Sequence, residues 1–79
     1  MTQLNAISQV ANGYLNEFNR LARQNQAAGM ELQTECALEA LAEVAHRCGY
    51  NALYEQITER KNALWLHAPM ATITAGGAA

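Results

Sequence analysis

The sequence predicts an all-α fold, a small three-helix antiparallel bundle with a disordered C-terminal tail, which we expect to form a homodimer. Apolar residues recur three and four positions apart along the chain, which is the spacing that buries one side of a helix. Proline is absent before Pro69, and Gly29 and Gly49 stand where two helices are expected to end. These boundaries predict one helical domain at residues 1–68 and a flexible tail at residues 69–79.

The first helix is predicted over about residues 3–27. Thr2 is a suitable N-cap, and Gly29 is a suitable residue to close the helix. Gly13 weakens the helix, but the apolar pattern keeps its phase across that position. The seam that we expect to face the core consists of Leu4, Ile7, Ala11, Tyr14, Phe18 and Leu21.

Two further helices are predicted over about residues 30–47 and 52–67, with Gly49 between them and Asn51 as the cap of the last. Their connections are short, so that consecutive helices are expected to be antiparallel neighbours. The side chains expected to point inward are Leu32, Leu38, Leu41, Val44, Ala45 and Cys48 on the second helix, and Leu53, Tyr54, Ile57 and Leu64 on the third.

The apolar content of the chain predicts only a thin core. Hydrophobic residues make up 51% of the 79 residues, but sixteen of them are alanines, which bury little area. Chains of this length are near the lower limit at which one core stabilises a domain by itself. We therefore expect self-association.

Charge and cysteine content restrict the partners and the compartment. A net charge of −2 gives no general attraction to nucleic acid or to anionic membranes. Cys36 and Cys48 are too few for a disulfide framework, and the first residues do not read as a secretion signal. We expect a cytoplasmic protein with reduced thiols and no membrane partner.

Four glutamates, each four positions after the last, form the most distinctive pattern, at Glu31, Glu35, Glu39 and Glu43. Such a repeat drifts only about 40° per step, so that the carboxylates are predicted to form one acidic line along a helix. One interpretation is a solvated outer face, with the first glutamates compensated by Arg20 and Arg23 of the preceding helix. The other is a docking strip for a basic surface of a partner.

Three large apolar residues stand together at Leu64, Trp65 and Leu66, and one face of a helix cannot bury all three. Either Trp65 closes the core together with Leu64, or it points outward as an anchor in an interface, where tryptophan is enriched. The sequence leaves both interpretations open.

No set of residues predicts catalysis or metal binding. Ser8 is the only serine, and the chain has no aspartate to orient a histidine beside it. Glu43 and His46 have the spacing at which a helix presents two ligands to a metal, but a single copy of that pair does not complete a site. We expect no cofactor, no metal and no enzymatic activity.

Residues 41–61 read LAEVAHRCGYNALYEQITERK. Val44, Ala45, Cys48, Gly49 and Tyr50 in this stretch resemble the helix that precedes the turn in the helix-turn-helix of AraC-type regulators. The resemblance implies a DNA-binding regulator whose second helix enters the major groove. In place of the aromatic-rich, basic helix of that family, this chain has YEQITERK with two glutamates.

The sequence thus favours a non-enzymatic protein-binding helical module, a small adaptor, chaperone or inhibitor that docks on a larger protein complex. This character is typical of small bacterial, phage or mobile-element proteins. The predicted contact residues are Glu31, Glu35, Glu39, Glu43 and Trp65. A DNA-binding regulator is the alternative.

Overall fold

A computed structural model describes residues 2–74 of the chain. Within that range it contains three α-helices, α1 (Gln3–Arg23), α2 (Glu31–Arg47) and α3 (Asn51–Ala63), a 3-10 helix at Leu64–Leu66, and no β-strand. The prediction of an all-α fold is confirmed. α2 packs against both other helices, whereas α1 and α3 touch each other much less.

The first helix ends at Arg23, four residues earlier than predicted. The reason is Asn25, whose φ of 57° places it in the left-handed region. The N–H of Gln26 donates to the carbonyl of Leu21 at 2.8 Å, which completes a Schellman motif with asparagine where glycine is commoner. Gly29 therefore lies in the connection to α2 and does not close α1.

Gly49 ends the second helix, as the sequence predicted. Its φ is 81°, and the N–H of Tyr50 donates to the carbonyl of Ala45 at 2.9 Å. The same motif thus ends both long helices. The following turn is tight, so that α3 begins at Asn51.

The core lies between the three helices and consists of aliphatic side chains around one aromatic ring. Phe18 is 1% exposed, and the other large side chains that are fully buried are Leu15, Leu38, Leu53, Ile57 and Leu64. Small residues at Ala42 and Ala45 complete the inner side of α2.

Several side chains that the sequence placed inward lie outside. The buried line of α2 runs through Thr34, Leu38, Ala42 and Ala45, which turns the opposite side of the helix to solvent. α1 likewise buries Leu15 in place of Tyr14. The residues predicted inward that are exposed are Tyr14, Leu32, Val44, Cys48 and Tyr54.

The start of the predicted tail is packed on the helices. We call residues 70–74 the strap. Asn19 donates from Nδ2 to the carbonyl of Met70 at 2.7 Å and accepts the N–H of Met70 at 2.8 Å. Asn12 pairs with Ile73 in the same way, at 2.9 and 2.7 Å. The side chain of Ile73 is 3% exposed, so that it belongs to the core.

The strap is also bound from the side of α3. Gln56 donates to the carbonyl of Thr74 at 3.3 Å and accepts its N–H at 3.0 Å. Arg60 donates to the carbonyls of Ala71 and Thr72 at 3.0 and 3.3 Å. The strap therefore fills the groove between α1 and α3, which differs from the predicted flexible tail. The rest of that tail, residues 75–79, lies outside the described residues.

Candidate functional site

Glu31 begins α2 and points inward. It is 7% exposed, its Oε2 accepts the N–H of Gly29 at 2.7 Å, and its Oε1 contacts Nε2 of His67. Hydrogen bonding to its own backbone N–H, with further contributions from His67 and Gly29, holds the pKa of Glu31 below its ordinary value despite partial desolvation. The exposed acidic line therefore begins one turn later than predicted, at Glu35.

The remaining three glutamates define what we call the acidic face, Glu35, Glu39 and Glu43. Glu39 and Glu43 are exposed and Glu35 is half-buried. Glu43 forms an ion pair with Arg47 at 2.5 Å between two exposed side chains. Among the described residues, neither Glu35 nor Glu39 has an ion-pair partner.

The expected compensation of these glutamates by α1 is absent from the described ion pairs. Arg20 instead binds Glu17 of its own helix, at 2.5 Å. That pair lowers the pKa of Glu17 and raises the pKa of Arg20, in both cases mainly through the hydrogen bond between them. The acidic face consequently keeps a negative potential.

Large apolar side chains are exposed at one end of the molecule. Trp65 is 58% exposed and Leu66 is 77% exposed, whereas Leu64 is fully buried. The contact between His67 and Glu31 brings Leu66 to the beginning of α2, where Leu32 is 67% exposed. We call Leu32, Trp65 and Leu66 the apolar end. Of the two interpretations that the sequence left open, the structure has Trp65 outside the core.

Leu32 of the apolar end lies on the same side of α2 as the acidic face. Leu32 and Glu39 are seven residues apart, so that their directions from the axis of α2 differ by only about 20°. Leu32 thus lies in line with the carboxylates. The side of α2 that carries the acidic face therefore also carries the exposed Leu32.

A second exposed apolar area lies on α1 and includes Tyr14, which was predicted to face the core. Val10 is 50% exposed and Tyr14 is 43% exposed. With Gly13 and Glu17 they line a shallow depression. The missed signal was that apolar residues cover more than one side of α1, so that not all of them could face the core.

Residues 41–61, which resemble the helix-turn-helix of AraC-type regulators, form the end of α2, a tight turn and most of α3. Glu55 and Glu59 lie exposed on α3. The side chain of Arg60 is 14% exposed and is engaged with the strap. The charged side chains that are fully exposed on α3 are therefore carboxylates, whereas contacts to phosphate need cations.

Histidine, cysteine and glutamate side chains do not converge within residues 2–74 into a group of three that could hold a metal ion. The ring of His46 packs against Tyr54 instead, with the ring centroids 5.0 Å apart. None of the described helices is both long and apolar enough to cross a bilayer.

Comparison of the chain with protein-family models, with curated proteins and with solved structures gave no match.

Proposed function

We propose that the chain is a non-enzymatic protein-binding module that docks on a larger protein complex through the apolar end and the acidic face. The observation that carries the proposal is the exposure of Trp65 and Leu66 together with an acidic face on which Glu35 and Glu39 have no ion-pair partner among the described residues. The partner surface that fits it is an apolar recess bordered by lysine or arginine.

The two parts of this surface have different roles in binding. Burial of a large apolar side chain contributes about 1.5–3 kcal/mol, and tryptophan is enriched among residues that dominate interfaces. Carboxylates at the edge of an interface mainly increase the association rate and select for basic partners. Trp65 is thus the anchor of the interface, and Glu39 and Glu43 orient the approach.

Further features belong to the same proposal. The exposed Val10 and Tyr14 support self-association into a homodimer. The short connections between the helices support an antiparallel arrangement of consecutive helices.

Cys36 and Cys48 are exposed free thiols, which supports a reducing compartment such as the cytoplasm. A small adaptor, chaperone or inhibitor of bacterial or phage origin has these properties.

Charge reversal tests the acidic face. We expect Glu35→Lys/Glu39→Lys/Glu43→Lys to lose the partner that the wild-type chain captures from extracts of its own cells. Each reversal adds two charges, so that the net charge changes from −2 to +4. Helical content, measured by circular dichroism, should be unchanged because these side chains contribute little to the core.

The matched control reverses three glutamates elsewhere, Glu17→Lys/Glu55→Lys/Glu59→Lys, and reaches the same net charge. This control also removes the ion pairs of Glu17 with Arg20 and of Glu59 with Arg60, which contribute little to stability because both carboxylates are exposed. We expect it to keep the captured partner. Equal capture by both folded triple variants would contradict a role for the acidic face.

A further inference from the structure

The groove between α1 and α3 binds the backbone of an extended segment. Each of the five strap carbonyls, from Met70 to Thr74, accepts a hydrogen bond from a helix side chain. Three of the strap N–H groups donate to side-chain amides as well. No polar strap side chain takes part in these bonds. Recognition of this kind depends on an extended backbone much more than on a particular sequence.

The spacing of the asparagines on α1 matches that of an extended peptide. Asn12 and Asn19 are seven residues apart, which is about 10.5 Å along a helix. Met70 and Ile73 are three residues apart, which is about 10 Å along an extended chain. Each asparagine can therefore pair with both backbone groups of one peptide residue in the same register.

Side-chain selection in the groove is limited to one deep position. Ile73 is 3% exposed and Met70 is half-buried, whereas Ala71, Thr72 and Thr74 are exposed. One turn beyond Asn12, the hydroxyl of Ser8 is buried and has no partner within residues 2–74. A ligand that continues past the position of Thr74 would pass this hydroxyl.

Most of the strap, and the segment that connects it to the helices, lie outside the core. Residues 66–69, which connect it to the rest of the chain, are all exposed. Among the buried core residues, only Ile73 comes from the strap. The other buried residues belong to the helices and to the connection before α2.

We propose that this groove is a binding site for an extended peptide of a partner protein, uncharged and with an aliphatic side chain at the position of Ile73. The strap is an internal ligand that the partner segment displaces. The site uses Asn12, Asn19, Gln56 and Arg60, none of which belongs to the apolar end or the acidic face, so that the two proposals stand or fall separately.

The test uses the full chain with Ile73→Asp, which detaches the strap because a carboxylate cannot stay buried in the aliphatic core. The probe is a fluorescein-labelled peptide of residues 68–75, APMATITA. We expect saturable binding in fluorescence anisotropy, at least tenfold tighter than to the wild-type chain. In the wild-type chain the strap competes with the peptide for the groove, at an effective concentration of about millimolar. The same peptide with the Ile73→Asp change should not bind.

A pair of double variants, both made in the Ile73→Asp background, shows whether the peptide occupies the groove. Asn12→Leu/Asn19→Leu should abolish binding, and Asn16→Leu/Asn62→Leu, which changes two exposed helical asparagines that make no bond to the strap, should preserve it. Failure of the folded Ile73→Asp chain to bind the peptide would overturn the proposal. Equal binding by both double variants would overturn it too.

A second measurement applies if Ile73→Asp does not fold. Unlabelled peptide at millimolar concentration is titrated into the isotope-labelled wild-type chain. We expect the backbone amide signals of Met70 and Ile73 in the labelled strap to shift as the peptide displaces it from Asn19 and Asn12, and unchanged signals would contradict the proposal. A wild-type dimer that Ile73→Asp dissociates while the helices stay folded would assign the groove to a second copy and overturn it as well.

Discussion

Glu31 connects the beginning of α2 to the two chain segments that lie next to it, the connection before the helix and the end of the 3-10 helix. Met30 occupies the cap position of α2 and makes no side-chain hydrogen bond there. The carboxylate of Glu31 accepts the N–H of Gly29, and a negative charge in the first turn interacts favourably with the helix dipole. Its contact with His67 also attaches the end of the 3-10 helix to the beginning of α2. One side chain thus positions the apolar end.

The lowered pKa of Glu31 predicts an acid-sensitive contribution to stability. A carboxyl whose pKa is lower in the folded than in the unfolded chain stabilises the fold above its unfolded pKa, about 4.3. That contribution is lost as the pH falls through the lower, folded value. We expect Glu31→Gln to lower the thermal midpoint at pH 7 and to approach the wild-type midpoint below pH about 4.

Glu17→Gln is the control for this experiment, because the pKa of Glu17 is also lowered, but by an exposed ion pair with Arg20. Its effect at pH 7 should be smaller, since such pairs are well screened. If the difference in thermal midpoint between Glu31→Gln and the wild-type chain stayed constant between pH 7 and pH 3, the lowered pKa of Glu31 would not be the source of this stability.

At the scale of the elements, two glycines with different backbone conformations should respond to alanine in opposite directions. Gly13 is helical within α1, and a Cβ there meets nothing within 4 Å, so that Gly13→Ala should raise the free energy of unfolding by about 0.5–1 kcal/mol. Gly49 has a φ of 81°, so that Gly49→Ala should lower it by about 1–2 kcal/mol. Urea denaturation measures both. Changes of the same sign would contradict the helix ends described here.

The helices were largely predictable from the sequence, because their apolar spacing and the glycine after α2 are local signals. The buried side of α1 was not, since apolar residues surround more than half of the helix. Packing against α2 and the strap decides that Leu15 is inside and Tyr14 outside. The end of α1 was missed because asparagine took the left-handed position at Asn25 that glycine usually takes.

The strap could not be predicted, because its contacts are not local. Asn19 and Met70 are separated by 51 positions, and Asn12 and Ile73 by 61. The strap is uncharged and its apolar residues lack helical spacing, and a flexible tail has the same properties. The acidic line could be predicted from the spacing of the glutamates. The inward direction of the Glu31 side chain could not, because its contact is with His67, 36 positions away in the sequence.

At the scale of the whole molecule, an interface would occupy a large share of a small surface. The accessible area is 4671 Å² and the extents are 35 × 20 × 17 Å. A standard interface buries about 800 Å² on each partner, which is roughly a sixth of this area. The apolar end and the acidic face can therefore lie within one footprint, whereas residues on the outer side of α3 should stay outside it.

Photo-cross-linking tests this footprint most directly. A benzoylphenylalanine is placed at Leu32, Glu39, Leu66 or Glu55, one position at a time, and the chain is irradiated in the cells that make it. We expect Leu32, Glu39 and Leu66 to give an adduct of the same partner, and Glu55, exposed on α3, to give none. An adduct of that partner from Glu55, with none from Leu32 or Leu66, would contradict docking through the apolar end and the acidic face.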